Sequence, residues 1–263
     1  MTILDTIVAR KKEEVADRKK TVSITDLTML PLFNRSTFSL SAILASDEKT
    51  GIIAEFKRKS PSKGIINGNA SVEQITTAYK QFGAAGISVL TDIDFFGGSD
   101  DDFKLARTTV DIPLLRKEFI IDEYQIYEAK ALGADVILLI AACLTVAETK
   151  HFAAVAKSLG LEVLLEIHDE TELGHIAANV DMIGVNNRNL KTFTVDIETS
   201  VRLFSHIPSE VVAVTESGIH DTATIQQLKQ VGYKGFLIGE NFMKQPDPAI
   251  AFADFTHQLK SLL

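Results

Sequence analysis

From residue 50 onward one pattern repeats along the chain: a short apolar run, a polar or glycine-containing joint, then an amphipathic stretch of helical period. The apolar runs fall at 52–57, 86–92, 113–119, 135–140, 161–167, 182–188, 211–217 and 235–241, eight in all. Runs this short and this continuously apolar suit strands buried on both faces. Between them, the periodicity predicts helices that include 122–132, 146–159, 170–178, 221–231 and 248–262. Asp122, Thr145 and Asp221 stand where N-caps belong, their side chains able to accept from free backbone N–H groups. Glycines at 86, 133, 160 and 232 follow such stretches, and glycine past a helix end takes the left-handed conformation without steric cost.

Buried strands alternating with helices imply a parallel sheet with right-handed crossovers. Eight such units, with no low-complexity linker between them, favour closure over an open sheet. The fold expected is therefore α/β: a single (β/α)8 TIM barrel spanning 1–263, and 263 residues suits one barrel of about 250. Residues 1–45 do not fit the alternation. Ile3, Ile7 and Val8, followed by the charged stretch 11–20, predict an amphipathic helix; a polar connection and a short apolar segment near 38–43 come next. The simplest expectation is an N-terminal helical extension packed on the barrel.

Composition narrows the function classes. With 46% hydrophobic and 24% charged residues, the chain has the profile of a soluble globular protein. Its net charge of −8 and the lack of a long basic run argue against nucleic acid as a partner, because phosphate contacts need clustered Lys and Arg. No apolar run approaches the ~20 residues that span a bilayer, so no membrane partner is expected. Charges near the N-terminus occupy the place of a signal peptide's apolar core, which makes the cytoplasm the expected compartment. A lone Cys143 excludes an intramolecular disulfide and a cysteine-based metal cage. The six histidines lack metal-ligand spacing, so no metal is expected.

In a barrel of this kind chemistry lies at the C-terminal ends of the strands. Here those ends are densely polar: Glu55 and Lys57 on the first, Lys117 on the third, Glu166 on the fifth, Asn186 and Arg188 on the sixth, Glu216 and Ser217 on the seventh. Side chains alternate along a strand, so Glu55 shares a face with Lys57, and Asn186 with Arg188. If those faces point inward, three carboxylates and two lysines converge on one mouth. Any one strand-end charge is more often a solvated loop residue or half of a salt bridge. Five strands ending this way are harder to explain blandly, since buried charges must pair or act on a ligand. Such pairing also shifts pKa values as acid–base work requires.

A second signal lies at the last two strands. Ser217-Gly218 after the seventh and Gly239-Glu240 after the eighth give two glycine turns whose backbone N–H groups can approach an anion, at the usual phosphate position of such barrels. One such turn alone would be an ordinary tight turn. The loop 58–64 after the first strand is the densest basic patch, and is expected to be a mobile lid attracting an anionic substrate, with Ser60 touching it. His168, two residues beyond Glu166, is able to face the pocket, although the local structural reading is commoner. Cys143 reads as a buried structural thiol rather than a nucleophile.

The motifs Ile-Ala-Glu-Phe-Lys-Arg-Lys-Ser-Pro-Ser at 53–62, Phe-Phe-Gly-Gly-Ser at 95–99 and Leu-Leu-Arg-Lys-Glu-Phe-Ile at 114–120 resemble those of indole-3-glycerol phosphate synthases. So do Gly-Ala-Asp-Val-Ile-Leu-Leu-Ile at 133–140, Leu-Leu-Glu-Ile-His at 164–168, Gly-Val-Asn-Asn-Arg at 184–188, Thr-Glu-Ser-Gly-Ile at 215–219 and Phe-Leu-Ile-Gly-Glu at 236–240. The opening Ile-Leu-Asp-Thr-Ile-Val-Ala-Arg-Lys is similar to that family's N-terminal extension. The resemblance covers essentially the whole chain in order. It implies a cofactor-independent carboxy-lyase of tryptophan biosynthesis acting on a small phosphorylated substrate, 1-(2-carboxyphenylamino)-1-deoxyribulose 5-phosphate. The implied products are indole-3-glycerol phosphate, CO2 and water. Lys117 would be the general acid of ring closure, and Lys57 and Glu166 the acid–base candidates for dehydration, their two roles unassigned. Glu55 would orient Lys57 or Lys117, and Glu216 would bind substrate hydroxyls. Asn186 and Arg188 would fix polar groups, and Phe96, Phe119 and Leu190 would clasp the aromatic ring. Ser217, Gly218, Gly239 and Glu240 would surround the phosphate. Association with other enzymes of tryptophan biosynthesis is left open. The one clear departure from the family's pattern is Asn189, where relatives carry Asp; alternation turns it away from Asn186 and Arg188, toward the helix layer or the following turn.

Two other readings compete. Another phosphosugar barrel, an isomerase or aldolase-like enzyme, would keep the phosphate turns but would not need Glu55, Lys57, Lys117, Glu166 and Glu216 together. A non-catalytic phosphosugar-binding barrel would have lost some of those residues, and none is lost. Fold alone does not decide between them.

Overall fold

A computed structural model describes residues 2–46, 50–176 and 179–262. The eight apolar runs form eight parallel strands: β1 (Ile52–Phe56), β2 (Gly86–Leu90), β3 (Leu114–Lys117), β4 (Val136–Ile140), β5 (Glu162–Ile167), β6 (Met182–Asn186), β7 (Val212–Glu216) and β8 (Gly235–Ile238). Each pairs with its neighbour in sequence, and β8 returns to β1 through Ile52↔Phe236 and Ala54↔Ile238, so the sheet is a closed barrel. Closure removes both sheet edges. The outer helices are α4 (Val72–Gln81), α5 (Asp100–Thr109), α6 (Tyr124–Leu132), α7 (Val146–Ser158), α8 (Glu198–Phe204), α9 (Thr222–Val231), a short α10 (Glu240–Met243) and α11 (Pro248–Lys260). Among the described residues no helix is long and apolar enough to cross a membrane.

Alternation along the strands sorts the side chains. Ile52, Ala54, Ile137, Leu139, Val163 and Leu165 point outward into the layer shared with the helices. Ile53, Leu115, Val136, Leu138, Leu164, Val214 and Leu237 point inward and fill the barrel's lower interior. One step above this apolar plug, the last inward position of each odd-numbered strand is ionisable: Glu55, Lys117, Glu166 and Glu216. The same two-residue period that builds the core therefore delivers four charges to the mouth.

The first residues form three helices: α1 (Ile3–Thr21), α2 (Ile24–Thr28) and α3 (Leu40–Ala45). The apolar segment expected near 38–43 is the start of α3; α2, too short to show a period, was not legible. Leu40 and Leu44 of α3 join the barrel's inward cluster and plug its floor. Glu162 at the start of β5 fixes α3 by accepting from the Leu40 and Ser41 N–H groups at 2.8 and 3.0 Å. The opposite end is covered by α1. Arg18 Nη1 reaches Glu128 Oε2 at 2.9 Å and Asp100 Oδ2 at 3.2 Å, and the fully buried Arg116 bonds the same two carboxylates at 2.7 and 3.0 Å. The extension thus contacts both ends of the barrel, and Ile3, Leu4 and Ile7 line the mouth.

Some local expectations need correction. The stretch 170–178 is not an α-helix: Glu170–His175 is a 3-10 turn, and residues 177 and 178 lie outside the described residues. Asp169 accepts from Thr171 N–H at 2.8 Å and Glu172 from His168 N–H at 2.7 Å, local bonds that compete with the α-helical ladder. Gly86 does not stop a helix; it opens β2, and a side chain there would come within 2.8 Å of Leu40 Cδ1. The left-handed residue after α4 is instead Gly83, at φ +95°. Asp122 lies one residue outside the assigned cap of α6, yet its Oδ1 accepts from Tyr124 N–H at 2.9 Å. Thr145 and Asp221 cap α7 and α9 as expected.

Candidate active site

A cavity opens at the C-terminal mouth of the barrel. Its lining contains every residue given a catalytic or binding role above, Glu55, Lys57, Ser60, Phe96, Lys117, Phe119, Glu166, Asn186, Arg188, Leu190, Glu216, Ser217, Gly218, Gly239 and Glu240, but not His168. Lys117 sits at the centre of its floor, with Nζ 2.6 Å from Glu216 Oε2 and 3.1 Å from Glu166 Oε2. Lys57, one residue beyond β1, donates to Glu55 Oε1 at 2.6 Å. Asn186 Nδ2 donates to the other oxygen of Glu166 at 3.2 Å. Two inward glycines make room for these carboxylates. A side chain at Gly239 would come within 2.5 Å of Glu55 Oε1, and one at Gly184 within 2.9 Å of Glu216 Oε1.

The electrostatics follow from burial and pairing. Burial alone pushes the Lys117 ammonium toward neutrality, but Glu216, Glu166 and Glu55 outweigh it and hold the group well above the usual lysine range. Burial likewise pushes the Glu166 carboxyl up, and Lys117 and His168 outweigh it, holding Glu166 ionised far below its usual range. Glu216 goes the other way. Burial and the adjacent Glu166 charge push it up to about 7, against the opposing pull of Lys117. Neighbouring carboxylates with opposed shifts are a common arrangement where acid and base roles divide.

His168 is the residue the sequence undervalued. Its Nε2 lies 3.2 Å from Glu166 Oε1 and its Nδ1 3.2 Å from Glu172 Oε2, although only the second contact has hydrogen-bond alignment. Burial lowers its pKa, but the two carboxylates prevail and raise it to about 10, so the ring is cationic at neutral pH. The Glu-x-His-x-x-x-Glu spacing at 166–172 was the available signal. Asn187 was missed as well. Buried on the outer face, its Nδ2 bonds Thr215 Oγ1, Glu216 O and Ser217 O at 3.0, 3.1 and 3.1 Å, fixing the end of β7.

The walls differ in character. On one side the rings of Phe96 and Phe119 lie 5.8 Å apart at 39°, beside Leu90, Ile140 and Leu190. Elsewhere Ser217 and Gly218 both take positive φ, +69° and +80°, in a tight turn after β7, and Gly239 and Glu240 follow the adjacent strand β8. Positive φ at a serine is uncommon and clusters at ligand-holding turns. Arg188 Nη2 stands 3.7 Å from Glu240 Oε2. Among the buried polar atoms at the cavity, Ser60 Oγ, Asp92 Oδ2 and Glu216 Oε1 have no hydrogen-bond partner in the described residues, although Asp92 Oδ2 has a cation, Lys11 Nζ, at 3.1 Å. Orphaned buried polar groups call for an explanation, and a ligand is one.

The basic loop 58–64 is more organised than expected. Lys59–Ser60 pairs with Gly64–Ile65 in a small hairpin. The Arg58 guanidinium is bound by Asp102 and lies 4.8 Å over the Phe56 ring, and Lys59 Nζ donates to Asp94 O at 2.8 Å. Those two cations are engaged with the protein, while Lys63 is exposed. Cys143 has its thiol pushed up to about 12, chiefly by burial, which suits a packing role. Among the described residues no group of three or more His, Cys, Asp or Glu side chains is arranged to hold a metal ion.

Comparison with known proteins identifies the family. The family profile described as Indole-3-glycerol phosphate synthase matches residues 4–255. A protein of that name from Bacteroides thetaiotaomicron is 49% identical over 253 residues, covering 96% of this chain and 97% of its own. Proteins of the same name from Acinetobacter baylyi and Polaromonas naphthalenivorans are 44% and 43% identical, each covering 96% of this chain and 95% and 97% of their own. A profile match over residues 4–255 and relatives 43–49% identical across 96% of the chain place this chain in the indole-3-glycerol phosphate synthase family.

Proposed function

We propose that the cavity carries out the reaction of that family: decarboxylating, dehydrating ring closure of 1-(2-carboxyphenylamino)-1-deoxyribulose 5-phosphate to indole-3-glycerol phosphate, CO2 and water. The observation that carries this reading is the Lys117 ammonium held between Glu166 and Glu216, in a cavity also lined by the Phe96–Phe119 pair and the positive-φ Ser217-Gly218 turn.

The substrate must fold so that a ring carbon meets its ketone. Phe96, Phe119 and Leu190 hold the aromatic ring, while backbone N–H groups of Gly218, Gly239 and Glu240, with the Ser217 hydroxyl, hold the phosphate. Fixing both ends turns a floppy chain into a near-attack conformer. Arg188 and Asn186 hold polar groups between, and Ser60 and the free oxygen of Glu216 take substrate hydroxyls. As the ring carbon bonds to the ketone carbon, Lys117 gives its proton to the ketone oxygen. The developing alkoxide is a stronger base than the amine, so transfer is favourable even from an ammonium stabilised by carboxylates. Loss of CO2 then returns the electron pair to the ring.

Dehydration needs a second acid and a base. Glu166, kept ionised by Lys117 and His168, is the base that removes the proton from the carbon next to nitrogen. Lys57, oriented by Glu55, protonates the departing hydroxyl, which leaves as water. The hairpin carrying Ser60 acts as the lid, and the site works without a cofactor in the cytoplasm. Incubating the purified protein with the carboxyphenylamino substrate tests this directly: indole absorbance and CO2 should rise in equal amounts. Absence of both would overturn the reading. A phosphosugar isomerase would instead turn over substrates without an aromatic ring.

A further inference from the structure

Lys11 opens the charged stretch 11–20 of the amphipathic helix that the sequence predicts, yet it is 2% exposed. Its Nζ is 2.7 Å from Glu14 Oε2 on α1, 3.1 Å from Asp92 Oδ2 after β2, and 3.0 Å from Glu118 Oε1 after β3. Asp92 and Glu118 are themselves buried, and both carry a second load. Asp92 Oδ1 accepts from the backbone N–H groups of Phe95 and Phe96 at 2.8 and 3.0 Å. Glu118 Oε1 accepts from Phe119 N–H at 2.8 Å, while its Oε2 accepts from the Thr91 hydroxyl at 2.6 Å. Each carboxylate therefore ties the ammonium to the backbone that carries one ring of the Phe96–Phe119 pair.

A buried ion cluster of this kind is poor value as an anchor, because desolvation cancels much of the attraction. Docking of α1 also has its own attachment, Arg18 on Glu128 and Asp100, farther along the helix. Lys11 instead binds one carboxylate from each of the two loops that bear the aromatic wall, beside the Thr91–Glu118 hydrogen bond that links them directly. We infer that Lys11 is a positioning residue which, through Asp92 and Glu118, sets the spacing of Phe96 and Phe119 and so governs affinity for the aromatic half of the substrate. The N-terminal helix thereby takes part in ring recognition without touching the reacting atoms. This rests on the ring-closure reading above.

The test separates the two halves of the ligand. Indole-3-glycerol phosphate carries ring and phosphate; glycerol 3-phosphate carries the phosphate alone. In Lys11→Met the Kd for indole-3-glycerol phosphate and the KM for substrate should each rise about tenfold or more, as expected when a desolvated aromatic contact is lost. The Kd for glycerol 3-phosphate should stay within about twofold. Lys11→Arg, which keeps the charge, should recover most of the loss. Asp92→Asn keeps the backbone acceptor but weakens the ionic tie, and should show the same ring-selective loss if Lys11→Met does not fold. Unchanged affinity for indole-3-glycerol phosphate in either folded variant, or equal losses for the two ligands, would overturn the inference. Failure of the wild-type enzyme to turn over the substrate would instead strike the underlying functional reading.

Discussion

Lys117 and Glu216 stand 99 positions apart in the chain, yet their charged groups meet at 2.6 Å on the cavity floor. Both occupy the last inward position of an odd-numbered strand, so barrel closure itself brings them together. The pair is also asymmetric: the ammonium is held charged, while the carboxyl is lifted toward neutrality by burial and by Glu166.

That asymmetry gives a pH dependence. In its proposed role an ionised Glu216 accepts a substrate hydroxyl, and a protonated one would accept less well. Its raised pKa, about 7, means that kcat/KM, which reports the free enzyme, should fall as pH drops from 8 to 6. The substrate phosphate also titrates near pH 6, so the control is Glu216→Gln, measured across the same range. The variant should be slower, with this limb flattened. A wild-type limb retained unchanged in Glu216→Gln would assign it to another group.

The phosphate turn makes a separate claim. Remote binding energy holds the reacting carbons together, so substrate lacking the phosphate should lose kcat/KM by about a hundredfold or more. Comparable efficiency with the dephosphorylated compound would remove Ser217, Gly218, Gly239 and Glu240 from that role.

Asn189 is exposed, and its Oδ1 accepts from Lys191 and Thr192 N–H groups at 2.8 and 3.0 Å, organising the turn after Leu190. An aspartate oxygen accepts the same two bonds. Asn189→Asp should therefore change stability by no more than about 1 kcal/mol and leave kcat within about threefold from pH 6 to 9. A hundredfold change in kcat would mean that the charge reaches the site.

What was legible in the sequence divides by range. Strands buried on both faces are continuous apolar runs, so the eight barrel strands were visible; two-residue alternation put Glu55 with Lys57 and Asn186 with Arg188, but a run apolar on both faces does not itself say which face points inward. The glycine turns after β7 and β8 were equally local. Lys11 was not legible, because its burial is decided by Asp92 and Glu118, 81 and 107 positions away in the sequence. His168 had a visible partner in Glu172, but its contact with Glu166 depends on how the chain turns after β5, where local side-chain bonds replaced the expected helix. The basic loop misled for a related reason: Arg58 and Lys59 looked free because Asp102 and the Asp94 carbonyl lie on other segments.

The central claim is that Lys117 supplies the proton for ring closure. Its most direct test is single-turnover kinetics with saturating enzyme, following CO2 and indole together in wild type and Lys117→Ala, with far-ultraviolet circular dichroism confirming that the fold is kept. The variant should still bind substrate, while CO2 release and indole formation slow together by about a hundredfold or more, the usual scale for a general acid. Turnover near the wild-type rate in a folded Lys117→Ala protein would contradict it.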